Sequence, residues 1–190
     1  SALKPEAEAV LESKLQQLNL PQTLADAIRA VGAMSGNVDL PTSCPAVETD
    51  HSLDAKRLMG YWDVLGTRHP AFEELFDCPM TNITDGGVVK KPGHATEHYN
   101  AYFQGFHVRF DGDEYIPDPG EPGKKLFSVT CAFGHCGLYI PYFWIETDAD
   151  YRYASVYYCW PKLPLLRGYL VMSRKAVVPP PELERRFLAN

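Results

Sequence analysis

The first thirty-six residues carry apolar side chains at helical spacing, and most of the remaining chain alternates. Val10, Leu11, Leu15 and Leu18 form one stripe, introduced by Pro5 at a first-turn position with Glu6 and Glu8 suited to the positive end of the helix dipole. Asn19-Leu20-Pro21 interrupts it. Pro21 starts a second helix with Leu24, Ala27, Ile28 and Val31 on one face, and Gly36-Asn37 ends it. Residues 39–54 show no period and read as an extended lead-in. A short helical turn from Lys56 then feeds Gly60, where the absent side chain lets the backbone bend into a strand placing Trp62 and Val64 on one face.

Gly66–Pro70 reads as a loop and Ala71–Phe76 as a short turn or helical lid. Short strands are predicted at Cys78–Thr84 and Val88–Lys91 around Asp85-Gly86-Gly87, and one long strand at His98–Phe110. Asp111–Lys125, rich in Pro, Gly, Asp and Glu, reads as an exposed loop. Alternation resumes through Phe127, Val129, Cys131 and Phe133, turns at Gly134–Gly137, and continues in strands Leu138–Glu146, Tyr151–Trp160 and Gly168–Arg174. Pro179-Pro180-Pro181 stops the last strand, and Glu182–Ala189 is a closing helix. The chain is therefore mainly β: an N-terminal helical hairpin (1–38), then about eight antiparallel up-and-down strands closed into a barrel with a C-terminal helix (39–190). The hairpin either packs on its own barrel or serves as a docking arm for another protein.

Composition narrows the function classes. A formal charge of −6 argues against nucleic acid as a partner, because such binders present a basic face. No run of about 18 apolar residues is present, so no helical membrane span is predicted. No basic-then-apolar segment opens the chain, and Ser1-Ala2-Leu3 reads as a start left after processing. Five cysteines, Cys44, Cys78, Cys131, Cys136 and Cys159, lack Cys-x-x-Cys spacing, so no metal site is expected. Their dispersal favours disulfides in an oxidising compartment over buried free thiols, with at least one left over by the odd count. His94-x-x-x-His98 with Glu97 would chelate metal only on a helix, and a loop is expected there.

Three motifs line up along the strands: Gly60-x-Trp62, Thr147-Asp148-Ala149-Asp150-Tyr151-Arg152-Tyr153, and Ser173-Arg174. Together they resemble the lipocalin signature from about Cys44 to Leu188. The resemblance implies that Gly60, Trp62 and Arg174 fasten the closed end, with Arg174 stacked on Trp62. Ser43-Cys44-Pro45, with Trp144-Ile145 through Tyr158-Cys159, is similar to the apolipoprotein D branch of that family, which implies a Cys44–Cys159 disulfide. His69-Pro70-Ala71-Phe72, Phe76-Asp77-Cys78, Trp144, Val156-Tyr157-Tyr158 and Ser173-Arg174-Lys175 resemble, in order, the lipocalin domain of the violaxanthin de-epoxidases.

That second resemblance implies a thylakoid-lumen setting and a carotenoid substrate, with ascorbate as reductant. It departs where acid chemistry would sit: Tyr142-Phe143 occupies the place of the expected carboxylate, and Met172 that of a second tyrosine. The expectation is a non-catalytic relative that binds a carotenoid or other isoprenoid, or an accessory subunit docked on a photosynthetic complex through residues 1–36. One alternative is an active xanthophyll de-epoxidase or isomerase using Tyr158 with Glu146 or Asp148, the only case needing ascorbate. The other is a secreted small-lipid carrier. Tyr99, Phe103, Phe127, Phe133, Trp144, Tyr153, Tyr158 and Met172 are the candidate lining of an apolar cavity, and the functional region is placed around Trp144 and Tyr158, at the opposite end from Trp62.

Overall fold

The computed structural model describes residues 5–18, 22–35, 43–68, 76–175, 177–182 and 185. Two helices, α1 (Pro5–Leu18) and α2 (Gln22–Ser35), precede a 3-10 turn at Ala55–Leu58. The strands are β1 (Gly60–Arg68), β2 (Asp77–Asp85), β3 (His94–Phe103), β4 (Phe106–Tyr115), β5 (Lys124–Ser128), β6 (Cys131–Ala132), β7 (His135–Cys136), β8 (Ile140–Thr147), β9 (Tyr153–Trp160) and β10 (Leu163–Ser173). Eight of them close an antiparallel barrel in the order β1-β10-β9-β8-β5-β4-β3-β2, and β6 and β7 form a separate ribbon between β5 and β8. Closure removes both sheet edges and encloses one apolar core.

The hairpin packs on this barrel. Leu11, Leu15 and Ile28 are buried in the same apolar cluster as Trp62, Trp144, Val156 and Leu170, and α2 lies against β10. Arg29 joins the helices by donating to both carboxylate oxygens of Glu12, at 2.7 and 2.9 Å. The expected start of α2 at Pro21 and the lid at residues 71–75 lie outside the described residues, as does most of the closing helix. The lead-in covers the outside of the wall, where Cys44 and Val47 pack with Phe143, Tyr157, Cys159, Tyr169 and Val171. There the disulfide Cys44–Cys159 is formed, as the resemblance implied.

One end is fastened as the signature suggested. Trp62 is fully buried and donates from Nε1 to the Leu58 carbonyl at 2.8 Å. The Arg174 guanidinium lies 3.8 Å from the Trp62 ring centroid and donates to the carbonyls of Tyr61, Arg57 and Tyr151 at 3.0, 2.6 and 3.3 Å. Gly60 suits this crossing, because its φ of +99° is one that L side chains rarely adopt and a Cβ there would crowd Arg174 Nη1 at 3.2 Å.

Several expected elements differ. His98–Phe110 is not one strand but the hairpin β3–β4, reversed by Gln104-Gly105 with both φ values positive (50° and 82°). Gln is not the residue that marks such a turn, and the aromatic alternation runs straight through it. Asp111–Lys125 is not wholly a loop: β4 continues to Tyr115 and β5 begins at Lys124, because Asp111, Asp113, Glu114 and Lys125 each find a partner on a neighbouring strand. Val88–Lys91 is a turn, with Lys90 N–H bonded to the Gly87 carbonyl, and not a strand. Beyond Ser128 the expected alternation is broken by the ribbon, which a second disulfide, Cys131–Cys136, closes. Cys78 is an exposed free thiol.

Candidate ligand-binding site

Alternation along the strands decides what faces the barrel axis. Val64 of β1, Ile83 of β2, Tyr99 of β3, Phe110 of β4 and Phe127 of β5 surround one side of an internal cavity. Ile140, Tyr142, Trp144, Val156, Tyr158, Leu170 and Met172 surround the other. The rings interlock: Tyr99 stacks on Phe110 with centroids 4.5 Å apart, and Tyr142 on Tyr158 at 5.0 Å. Phe127 meets Tyr142 edge-on at 5.2 Å. Phe127 reaches this position because β4 presents Gly112 beneath it, where a Cβ would stand 2.3 Å from the ring. The free space is about 60 Å³, room for a few water molecules or ligand atoms before any side chain moves.

Into this apolar wall three ionisable side chains project. Glu97 sits on β3 and Glu114 on β4, both lining the cavity, and Lys125 sits on β5. Glu114 and Lys125 are buried and bound to each other, and the Lys125 ammonium lies 4.9 Å from the centroid of the Trp144 ring. Thr81 of β2 donates to Glu97 Oε1 at 2.7 Å. Burial, reinforced by the Glu114 charge beside it, pushes the Glu97 carboxyl up to about 8, against the opposing pull of Thr81 and Lys125. Glu97 therefore holds its proton at neutral pH. The interior contains two carboxyls for one ammonium, a protonatable acid set among aromatic rings.

Of the residues expected to line a cavity, Tyr99, Phe127, Trp144, Tyr158 and Met172 do so. Phe103 does not: it is 40% exposed and packs on Phe76. Phe133 stands at the tip of the β6–β7 ribbon, fully exposed, because the Cys131–Cys136 closure carries it away from the wall. Tyr153 belongs to the outer cluster with Cys44 and Val47. The expected separation of Trp144 from the fastening also needs correction, since Trp144 meets Trp62 edge to face at 5.6 Å.

Tyr158 is buried against Tyr142, but Asp148 is not brought to it. Asp148 sits in the β8–β9 turn, accepting from the backbone N–H groups of Arg152 and Tyr153 and pairing with the Arg152 side chain. Glu146 pairs in the ladder with Ser155. His94 and His98 lie on strand β3, not on a loop, and contact Asp113 and Asp111 respectively, each at 2.7 Å. Among the described residues no group of three or more His, Cys, Asp or Glu is arranged to hold a metal ion, and no helix is long and apolar enough to cross a membrane.

The acids inside the barrel were not anticipated, although one signal pointed to them. Glu97 is in phase with Tyr99, Glu114 with Phe110, and Lys125 with Phe127. A charge on the aromatic face of an alternating strand is a buried charge.

No protein-family model matches the chain, and no curated protein matches it significantly. Solved structures do. Insecticyanin from the tobacco hornworm Manduca sexta superposes with a TM-score of 0.61 at 20% identity, over 78% of this chain and 79% of that one. Lobster apocrustacyanin A1 gives 0.56 at 16%, over 78% and 81%. The amine-binding protein of Rhodnius prolixus, solved as a tryptamine complex, gives 0.54 at 18%, over 77% and 78%. At these identities the likeness concerns the fold, and the fold is that of a lipocalin.

Proposed function

Starting from a lipocalin barrel with acids in its cavity, we propose that the protein is a non-catalytic carrier of a small, mainly apolar ligand held inside the barrel. The observation that carries this reading is the cavity itself, a ring of six aromatic side chains around free space with polar groups at a few fixed points. Lipocalin-like solved structures, one of them holding tryptamine, support it by analogy of fold alone. The test is a titration with 2-phenylethanol and with β-ionone, followed by tryptophan fluorescence, since Trp144 lines the cavity. Saturable binding of either probe is expected. The cavity-filling substitution Val156→Phe should weaken binding by at least about tenfold, or 1.4 kcal/mol. Absence of any saturable response would remove the reading.

A carotenoid or other isoprenoid ligand in a thylakoid lumen is the finer form of this proposal. It is supported by the aromatic lining and by the Phe76-Asp77-Cys78 and Val156-Tyr157-Tyr158 fragments. The two disulfides support an oxidising compartment, which suits the lumen and a secreted setting alike. Any of these ligands needs more room than the cavity offers at rest, so the rings must part to admit it, and a long polyene requires the widest opening. Visible pigment absorption co-purifying with the protein would favour it. The accessory-subunit form leaves fewer apolar groups to a partner, because Leu11, Leu15 and Ile28 are already buried by the barrel cluster. For the enzymatic alternative, the acid in the barrel is Glu97, and Asp148 is engaged elsewhere. Turnover of violaxanthin with ascorbate at about pH 5 would replace the carrier reading.

A further inference from the structure

The cavity's carboxyls outnumber its cations. Glu97 is faced by Thr81 from β2, Glu114 from β4 and Lys125 from β5, and the titratable groups completing the lining are Tyr99, Tyr142 and Tyr158. Lys125 brings the positive charge in this set, and it is bound to Glu114. That pair is also a template, because it shows how this interior holds an ammonium group: one glutamate beneath it and the face of a tryptophan over it. Glu97 repeats half of the arrangement. It offers a carboxyl two residues from Tyr99, which stacks on Phe110, with no ammonium of its own among the described residues.

Resting on the reading that the cavity holds a ligand, we propose that the ligand class is a small amine, whose ammonium group pairs with Glu97 while its apolar or aromatic body lies among the rings. The charge count favours this class. A neutral ligand leaves Glu97 as it was, and a carboxylate ligand would add a third carboxyl beside one cation. An ammonium ion brings the interior to two of each sign. Burying a charge is tolerated only when it is paired and hydrogen-bonded, and Glu97 and Thr81 supply both conditions.

Binding of this kind displaces a proton. In the empty cavity Glu97 carries one. An amine arriving as an ammonium ion keeps its own proton, and the Glu97 proton leaves to the solvent, so one proton is released for each ligand bound. At about pH 8 Glu97 is half ionised, and the release falls toward zero as pH rises further.

The experiment is isothermal titration calorimetry with 2-phenylethylamine, 2-phenylethanol and 3-phenylpropionate, at about pH 6.5 and about pH 9, in buffers of different ionisation enthalpy. At the lower pH the amine should bind at least about tenfold tighter than the alcohol, with close to one proton released, and the carboxylate should bind weakest. Glu97→Gln keeps an oxygen for Thr81 and should bring the amine-to-alcohol affinity ratio down to about one. Equal affinity of wild-type protein for amine and alcohol, or amine binding without proton release, would overturn the inference. The wild-type proton count stands whether or not the variant folds. Alcohol binding without amine preference removes the inference alone. Failure of all three probes and of β-ionone removes the cavity reading beneath it.

Discussion

Arg174 lies 3.8 Å from the Trp62 ring centroid and Lys125 lies 4.9 Å from that of Trp144, and the two rings meet edge to face at 5.6 Å. The same kind of contact thus occurs twice in succession along one line of side chains, with opposite surroundings. Arg174 gives its N–H groups to the carbonyls of Tyr61, Arg57 and Tyr151, neutral acceptors that do not titrate. Its charge stays constant, and the contact fastens β1, β10 and the preceding turn. Lys125 is buried among ionisable partners, one glutamate bound to it and a second held protonated nearby. A cation over tryptophan is structural when backbone answers it. When carboxyls answer it in unequal number, the site has a charge state that a ligand or a proton can change.

Substitutions can break each half of this pair separately. The largest loss is expected from Lys125→Met, which leaves Glu114 buried without its cation. Unfolding in urea at about pH 7 should show a loss of about 3–5 kcal/mol. Glu97→Gln should act in the opposite direction. The Glu97 carboxyl is raised in the folded state, so the stability it contributes is complete below its unfolded value of 4.5 and is lost as pH rises toward about 8. Wild-type stability should therefore fall by on the order of 1 kcal/mol per pH unit across that window from this group. Glu97→Gln should match the wild type near the lower bound and exceed it near the upper one. Parallel pH profiles would contradict the assignment.

At the fastening, Arg174→Ala should cost about 2 kcal/mol, from a partly buried cation–π contact and its hydrogen bonds. That cost should be the same at about pH 5 and about pH 8, because no partner titrates between them. A pH-dependent cost would erase the distinction between the two contacts. Gly60→Ala should give the smallest effect, about 1–2 kcal/mol, from a positive φ that alanine resists and from crowding against Arg174 Nη1. Thermal denaturation would measure it.

The two contacts also differ in how far they could be read in advance. The fastening was legible because its residues sit in short motifs, Gly60-x-Trp62 and Ser173-Arg174, and the Cys44–Cys159 disulfide was implied by a resemblance. The barrel itself was legible from alternation, which also placed Tyr99, Phe127 and Trp144 on the inner face. The charged cluster was hidden by an ordinary rule: a stretch rich in Asp, Glu, Gly and Pro reads as loop, which assigns the second half of β4 and the start of β5 to solvent. Glu114 and Lys125 find each other only across the β4–β5 pairing, which no local pattern displays. Tyr153 was recoverable, since it and Tyr158 are an odd number of positions apart on one strand and so face opposite ways. Phe133 was not recoverable from alternation, because the Cys131–Cys136 ribbon redirects the chain.

The barrel interior holds one carboxyl beyond what its cation neutralises. The most direct measurement is a pH titration of the glutamate side-chain carboxyl carbons by nuclear magnetic resonance on the ligand-free protein, with Glu97→Gln as the assignment control. One carboxyl titrating at about pH 8, and missing from the variant, is the predicted result. Titration of every glutamate in the ordinary carboxylate range, below about pH 5, would contradict it.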